Sequence, residues 1–402
     1  KTIADASNKI YEEKAKNPEE QDSQKLEDLR TSLQQARQDF QKTALKLQQD
    51  YPDLLKYVAI KPTNIRTIQN QLPENTVIVE PIIIDSMENG KKTFKLITFI
   101  GFPGKNAPKY VKSDLGELDI TLALVAFRKA LYEKDDEKIK KISANLYDLL
   151  IKPIEKDIEP YEVLIISPYE NLRYIPFQVL YDGEKYLIEK HAVVNATSSS
   201  GLKLSDHSDS KHNKLLAFGN ATEDLPSSED EVKTISSDFS APDVFIRSNA
   251  TLEKFNDKVY NSYDVIHLAT HGILNNSEPE NSALLFANKD MLSVGDIMAY
   301  DFSDKDLIVL SACDSVVGKT KGAEVSALGT AFELAAAPSV IASLWKVDDA
   351  STSLLMKSFY NYYTNGANKA EALRKAQLDL INNKKFQNPF YWAPFIILGR
   401  WY

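Results

Sequence analysis

The clearest hydrophobic pattern lies in the C-terminal half of the chain. Short continuous apolar runs recur at 215–218, 265–269, 307–312, 340–344 and 395–398, and helical stretches over 324–336, 351–364 and 369–382 separate several of them. A strand that is apolar at every position needs both faces covered. Such runs alternating with helices predict a mostly parallel sheet between two helical layers, a three-layer α/β/α sandwich of the α/β class.

Further upstream the pattern is more mixed. Positions 77–84 and 94–100 read as strands with Glu88-Asn89-Gly90 as the turn between them. A long helical stretch over 115–158 precedes a strand at 163–166, and a strand at 192–196 leads into Thr197-Ser-Ser-Ser-Gly201. Positions 203–213, rich in Ser, Asp and His, read as a surface loop or linker. In the polar stretch 1–55, Leu26, Leu29, Leu33, Ala36, Phe40, Ala44 and Leu47 alternate steps of three and four, which lines one side of a helix. Tyr51-Pro52 ends it, because proline disfavours helix in the residue before it. That helix either packs on its own domain or closes a helical-repeat array, although no repeat period is visible. The expected division is 1–57 as a helical segment, 58–202 as a first α/β half and 203–402 as a second.

Composition narrows the function classes. The net charge is −9 and the longest basic clusters are pairs such as Lys140-Lys141. A phosphate backbone calls for clustered Lys and Arg, so nucleic acid is not an expected partner. No apolar run approaches the roughly 20 residues that span a bilayer, and no leader stands at the N-terminus. The chain starts at Lys1, which points to a longer or processed protein. Cys313 is its one cysteine, so an internal disulfide or cysteine-based zinc site is excluded and a cytoplasmic setting is expected. No cofactor is called for, and no EF-hand spacing of calcium ligands occurs.

That cysteine closes a strand. Leu307-Ile-Val-Leu-Ser-Ala-Cys313 ends in the thiol, and Val265-Ile-His-Leu-Ala-Thr-His271 ends in an imidazole followed by Gly272. Reactive groups in open α/β sheets gather beyond the carboxyl ends of strands. If the two strands are parallel neighbours, His271 and Cys313 face each other. An imidazole beside a thiol can take its proton, creating the thiolate nucleophile, and later protonate the leaving amine. The N–H groups of Gly272 and Cys313 are natural oxyanion donors. Asp264 and Glu278 lie near His271 in sequence, though neither is an obvious partner for it. His267, mid-strand, reads as a core residue. A cysteine at a strand end is more often buried packing than a nucleophile, so the pair carries the reading, not the cysteine alone.

Several ordered segments over about 75–402 resemble the CHAT domain, a caspase-like family often attached to tetratricopeptide repeats and related to separases. They are Ile165-Ile-Ser-Pro-Tyr-Glu-Asn-Leu-Arg-Tyr-Ile-Pro-Phe177, Leu215-Leu-Ala-Phe-Gly-Asn220, the segments ending in Gly272 and Asp314, Val340-Ile-Ala-Ser-Leu-Trp-Lys-Val-Asp-Asp349 and Phe390-Tyr-Trp-Ala-Pro-Phe-Ile-Ile-Leu-Gly-Arg-Trp401. The resemblance implies a caspase-like fold and cysteine endopeptidase activity, with the family histidine on His271 and its cysteine on Cys313. It also implies a protein substrate, a defence or cell-death setting in bacteria, an activating partner or upstream helical-repeat region, and a pseudo-peptidase role for 58–202, which holds His191 and no cysteine. The usual Cys-Glu-Thr is Cys313-Asp314-Ser315 here, which bears on substrate preference. By comparison with separases, Asp348 or Asp349 reads the residue before the cut, favouring Lys or Arg, with Asp314 also near the substrate. Asp348-Asp349 could equally begin a helix. Lys319 and Lys321 sit in a loop where self-cleavage is conceivable. The rival reading is a scaffold or signalling module that keeps the fold without peptidase work.

Overall fold

The computed structural model describes residues 64–402 except 89–90, 105, 116–119, 200–201, 203–213, 260–262, 276–281, 312 and 318–326, together with scattered positions between 22 and 35. The chain divides into two compact units, Lys1–Ile60 and Lys61–Tyr402. Described positions from 24 to 35 are helical and include Leu29. The other six apolar positions of that predicted stripe, from Leu26 to Leu47, lie outside the described residues, as do Glu278, Lys319 and Lys321.

The second unit is built on one 11-stranded sheet. Its strands are β1 (Thr76–Glu88), β2 (Lys91–Gly101), β3 (Lys109–Asp114), β4 (Val163–Ile166), β5 (Ala192–Asn195), β6 (Lys214–Gly219), β7 (Ala241–Ile246), β8 (Val265–Ala269), β12 (Leu307–Leu310), β14 (Ser339–Ser343) and β15 (Phe395–Gly399). The order across the sheet is β3-β2-β1-β4-β5-β15-β14-β12-β8-β6-β7. Pairing is parallel from β1 through β4 and β5 to β15, and again from β14 through β12, β8 and β6 to β7. The two blocks meet at the antiparallel pair β14–β15, so they point in opposite directions. The β1–β2–β3 edge is antiparallel.

The strands β4, β5, β8, β12 and β14 are buried at every position, as their unbroken apolar sequences require. Among the helices are α1 (Ile120–Glu133), α2 (Asp136–Leu150), α3 (Pro226–Ser236), α4 (Leu252–Lys258), α5 (Ala327–Leu334), α6 (Asp349–Thr364) and α7 (Lys369–Ile381). The helical stretch expected over 115–158 is divided after Glu133. Lys134 adopts a left-handed conformation (φ 55°), and Asp135 caps the next helix by accepting from the Lys138 amide at 3.1 Å. Consecutive β6 residues show the two covered faces. Phe218 meets the rings of Phe255 and Phe286, whereas Gly219 lies against α3, where a Cβ would come within 2.7 Å of Val232 and 3.0 Å of the Ser228 carbonyl. Only glycine lets α3 approach that closely.

Side chains also tie the two sequence halves together. Gln178 donates to the Ala393 carbonyl at 2.7 Å, and Arg374 donates to the carbonyls of Ile188 and Glu189, each at 2.7 Å. No helix among the described residues is long and apolar enough to cross a membrane.

Candidate active site

The parallel neighbours β8 and β12 end close together, and each chain then enters a second, smaller sheet. That sheet has the order β11-β10-β9-β13, with β9 (His271–Asn275), β10 (Ala283–Leu285), β11 (Met291–Ser293) and β13 (Cys313–Val317). The break falls at Thr270. Its hydroxyl donates to the Leu285 carbonyl at 2.6 Å, while the carbonyl of Ala269 accepts from the Asn220 amide at 3.1 Å. His271 is therefore the first residue of a new strand, where the sequence pattern showed only the end of an old one.

Strands β9 and β13 pair in parallel, with Cys313 in register with His271 and Asp314 with Gly272. Neighbouring strands lie about 4.8 Å apart, so register alone sets the two backbones side by side. Gly272 is buried and also pairs with Leu284 on its other flank. The backbone of Cys313 and Asp314 is placed; their side chains lie outside the described residues.

His271 has a carboxylate partner that its sequence neighbours do not supply. Its Nε2 lies 2.9 and 3.0 Å from the two carboxylate oxygens of Asp224. The imidazole is 20% exposed and the carboxylate 63%. A hydrogen bond from the Thr222 hydroxyl, then the one from His271, holds Asp224 below the usual carboxylate range. An ionised carboxylate only accepts, so Nε2 carries the proton. In the neutral form of the ring the lone pair then sits on Nδ1, which is buried and has no hydrogen-bond partner among the described residues. An imidazole oriented in this way is ready to accept a proton.

Asp224 arrives from the loop after β6, and Asn220 shapes that loop. Asn220 is left-handed (φ 49°), a conformation that asparagine tolerates better than most residues. Its side-chain oxygen accepts from the Leu225 amide at 2.8 Å, and its amide group donates to Glu229 at 3.2 Å. Glu229 also binds Lys233 and Arg247, each at 2.6 Å. The Asp224 loop is thus fixed at both ends.

The two acids after β14 separate cleanly. Asp348 is the N-cap of α6, accepting from the Ser351 amide at 3.0 Å. Asp349 is half-buried at the first helical position and lies within electrostatic reach of both His271 and Asp224. The segment leading to them is anchored by the chain's last motif. The Leu344 amide donates to the Pro394 carbonyl at 2.8 Å, and the Trp345 indole donates to the Phe390 carbonyl at 3.1 Å. The motifs 340–349 and 390–401 therefore form one structural element.

Asp264 lies at the opposite end of β8, where its carboxylate accepts from the Lys214 amide at 3.0 Å, and it does not meet His271. His267 is fully buried in the core. His191 is buried too, 2.6 Å from the Tyr161 carbonyl, and its burial lowers its pKa. No cluster of metal-ligating side chains occurs among the described residues.

The fold and site together define an α/β protein that presents an imidazole, an orienting carboxylate and a registered cysteine at one rim of its sheet. The CHAT domain matches residues 140–400, and the chain belongs to that family. It is 30% identical over 109 residues to tetratricopeptide repeat protein 28 of Mus musculus and 31% identical over the same length to its Homo sapiens counterpart. Those matches cover 27% of this chain and 4% of the relatives, so the chain spans a small fraction of their length. Among solved structures, the Arg-specific cysteine proteinase gingipain R aligns with a TM-score of 0.42 at 9% identity, covering 65% of this chain and 67% of that one.

Proposed function

We propose that this chain is a cysteine endopeptidase acting on a protein substrate, with Cys313 as nucleophile, His271 as base and Asp224 as the residue that orients it. The observation that carries this reading is the conjunction at one rim. Cys313 is in register with His271, whose Nε2 is held by a carboxylate and whose buried Nδ1 has no hydrogen-bond partner among the described residues. Nδ1 takes the thiol proton as Sγ attacks the scissile carbonyl, and the imidazolium then protonates the departing amine. Water hydrolyses the resulting thioester by the same route in reverse. The N–H groups of Gly272 and Cys313 are the donors we assign to the oxyanion.

Asp349 supports a preference for Lys or Arg before the cut, because its carboxylate lies within electrostatic reach of His271 and Asp224. Asp348 is engaged as a helix cap, and we assign it the task of fixing Asp349 in place. Asp314, in register with Gly272, stays assigned to the substrate side of the site. The expected regulator is an upstream helical-repeat region, in keeping with the repeat proteins among the relatives. A bacterial defence or cell-death role rests on the family resemblance.

A peptidyl chloromethyl ketone tests the peptidase reading. Labelling of Cys313 that is lost in His271→Ala supports it. A thiol that labels equally well with or without the imidazole makes the chain a non-catalytic module.

A further inference from the structure

The carboxylate that orients His271 is poorly placed to hold itself still. The Asp224 side chain is 63% exposed, so packing does little to fix it, and the terminal torsion of an aspartate is broad. The backbone on either side is secured. Ala221 and Leu225 are buried, and the Leu225 amide donates to the Asn220 side chain at 2.8 Å. The Asn220 amide in turn donates to the Ala269 carbonyl at 3.1 Å, just below the strand break that leads to His271. What remains free is rotation of the carboxyl group itself.

Thr222 supplies the missing hold. Its hydroxyl donates to Oδ1 of Asp224. The same oxygen lies 2.9 Å from His271 Nε2, and Oδ2 lies 3.0 Å from it. Both carboxylate oxygens thus face the imidazole while the hydroxyl restrains one of them. Among the described residues, Thr222 and His271 are the side chains that hydrogen-bond this carboxylate. The turn between Thr222 and Asp224 is a demanding one. Glu223 is left-handed (φ 66°), a conformation uncommon for glutamate, and its amide donates to the Asn220 carbonyl at 3.1 Å. Such a residue persists where surrounding bonds over-determine it, and here the turn brings the hydroxyl to the carboxylate.

We infer that Thr222 is a positioning residue for the proposed reaction: its hydroxyl holds the Asp224 carboxylate where it selects the Nε2–H tautomer of His271, leaving Nδ1 to accept the proton of Cys313. The inference rests on the reading of His271 as the base. Without the hydroxyl, the carboxylate turns toward water and the Nδ1–H tautomer gains population. Fewer rings can then take a proton at Nδ1. Because the effect passes through Asp224, it vanishes when that carboxylate is absent.

The test uses the whole chain and two readouts. Thr222→Val removes the hydroxyl and keeps the branched shape, and Thr222→Ser restores the hydroxyl. The ring-nitrogen NMR signals of neutral His271 report its tautomer whether or not the chain cleaves anything, and steady-state kinetics with an arginyl peptide report the reaction. We expect Thr222→Val to mix the tautomers and lower kcat by about three- to tenfold, the worth of one ordinary hydrogen bond, with KM little changed. Thr222→Ser should recover both. In an Asp224→Ala background, Thr222→Val should cost nothing further. A tautomer or a kcat that stays put in Thr222→Val, or a kcat loss undiminished beside Asp224→Ala, overturns the inference and leaves the peptidase reading standing. Tautomers that mix as expected in a chain whose native form cleaves no arginyl peptide overturn the peptidase reading, and the positioning role with it. Should Thr222→Val fail to fold, Thr222→Ala gives the same comparison.

Discussion

His267 and His271 stand four residues apart on one stretch of chain, each within hydrogen-bonding distance of a carboxylate, and they reach opposite chemical ends. His267 uses both ring nitrogens and is sealed from solvent. His271 uses one nitrogen toward a mostly exposed carboxylate, and its other nitrogen is buried with no partner among the described residues. The strand break at Thr270 separates them. Below it β8 is clamped between two helical layers; above it β9 joins a small sheet at the rim. A polar group with all its bonds made holds a core together, while one with an unused lone pair can do chemistry.

Substitution should break this comparison in opposite directions. Replacing His271 or Cys313 by Ala should lower kcat/KM by about 10³-fold or more, as loss of either member of a nucleophile–base pair does, and shift the urea midpoint little. His267→Ala should do the reverse. It leaves Glu231 buried without its imidazole, and a buried group deprived of its hydrogen-bond partner costs about 1–3 kcal/mol, more where that group is charged. Urea denaturation would show that loss, and specific activity per folded molecule should stay close to native. Equal stability losses at both positions would erase the distinction.

Asp224→Asn sharpens the comparison on the rim side. The carboxylate fixes the His271 tautomer, but its exposure weakens the bond's electrostatic worth. A fall in kcat/KM of about 10- to 10²-fold is expected, short of the roughly 10⁴ seen where such a carboxylate is buried. Steady-state kinetics with an arginyl peptide would measure it. A full-sized loss would mean that the loop closes over Asp224 when substrate binds.

The sequence made these two histidines readable to different degrees. The strands β8 and β12 were legible because every position in them is apolar, and His267 was readable as core because it falls inside such a run. Their parallel pairing followed from the alternation with helices. The restart of the chain as β9 was not legible, because one hydroxyl bonding to a distant carbonyl leaves no mark on a hydropathy pattern. Asp224 escaped for a similar reason. It lies 47 residues before His271 and reaches it only through the left-handed turn at Asn220. The one available sign was Phe218-Gly-Asn220, a strand ending in residues suited to a sharp turn. The meeting of the two sheet blocks at β14–β15 was equally hidden, since strand order depends on contacts between distant segments.

The smallest expected effect concerns the far anchor of the Asp224 loop. Hydrogen bonds from Lys233 and then Arg247 and Asn220 hold Glu229 at about 2, below its ordinary 4.5. A carboxyl depressed in the folded state favours folding fully above its unfolded value, and that contribution disappears as pH falls through the folded one. Glu229 should therefore stabilise the loop's base above about pH 4.5 and lose that effect progressively as pH drops toward about 2. Lys233 and Arg247 are both more than half exposed, so solvent screens the interaction and the effect on global melting is small. The sharper readout is local. Amide exchange at Asn220 and Leu225 should accelerate across that acid window in the native chain, while Glu229→Gln should show fast exchange at every pH. His267 in the core should keep its protection throughout, since its partners do not include Glu229. Matching acid sensitivity at Asn220, Leu225 and His267 would mean that rim and core open as one unit, and that the break at Thr270 does not insulate them.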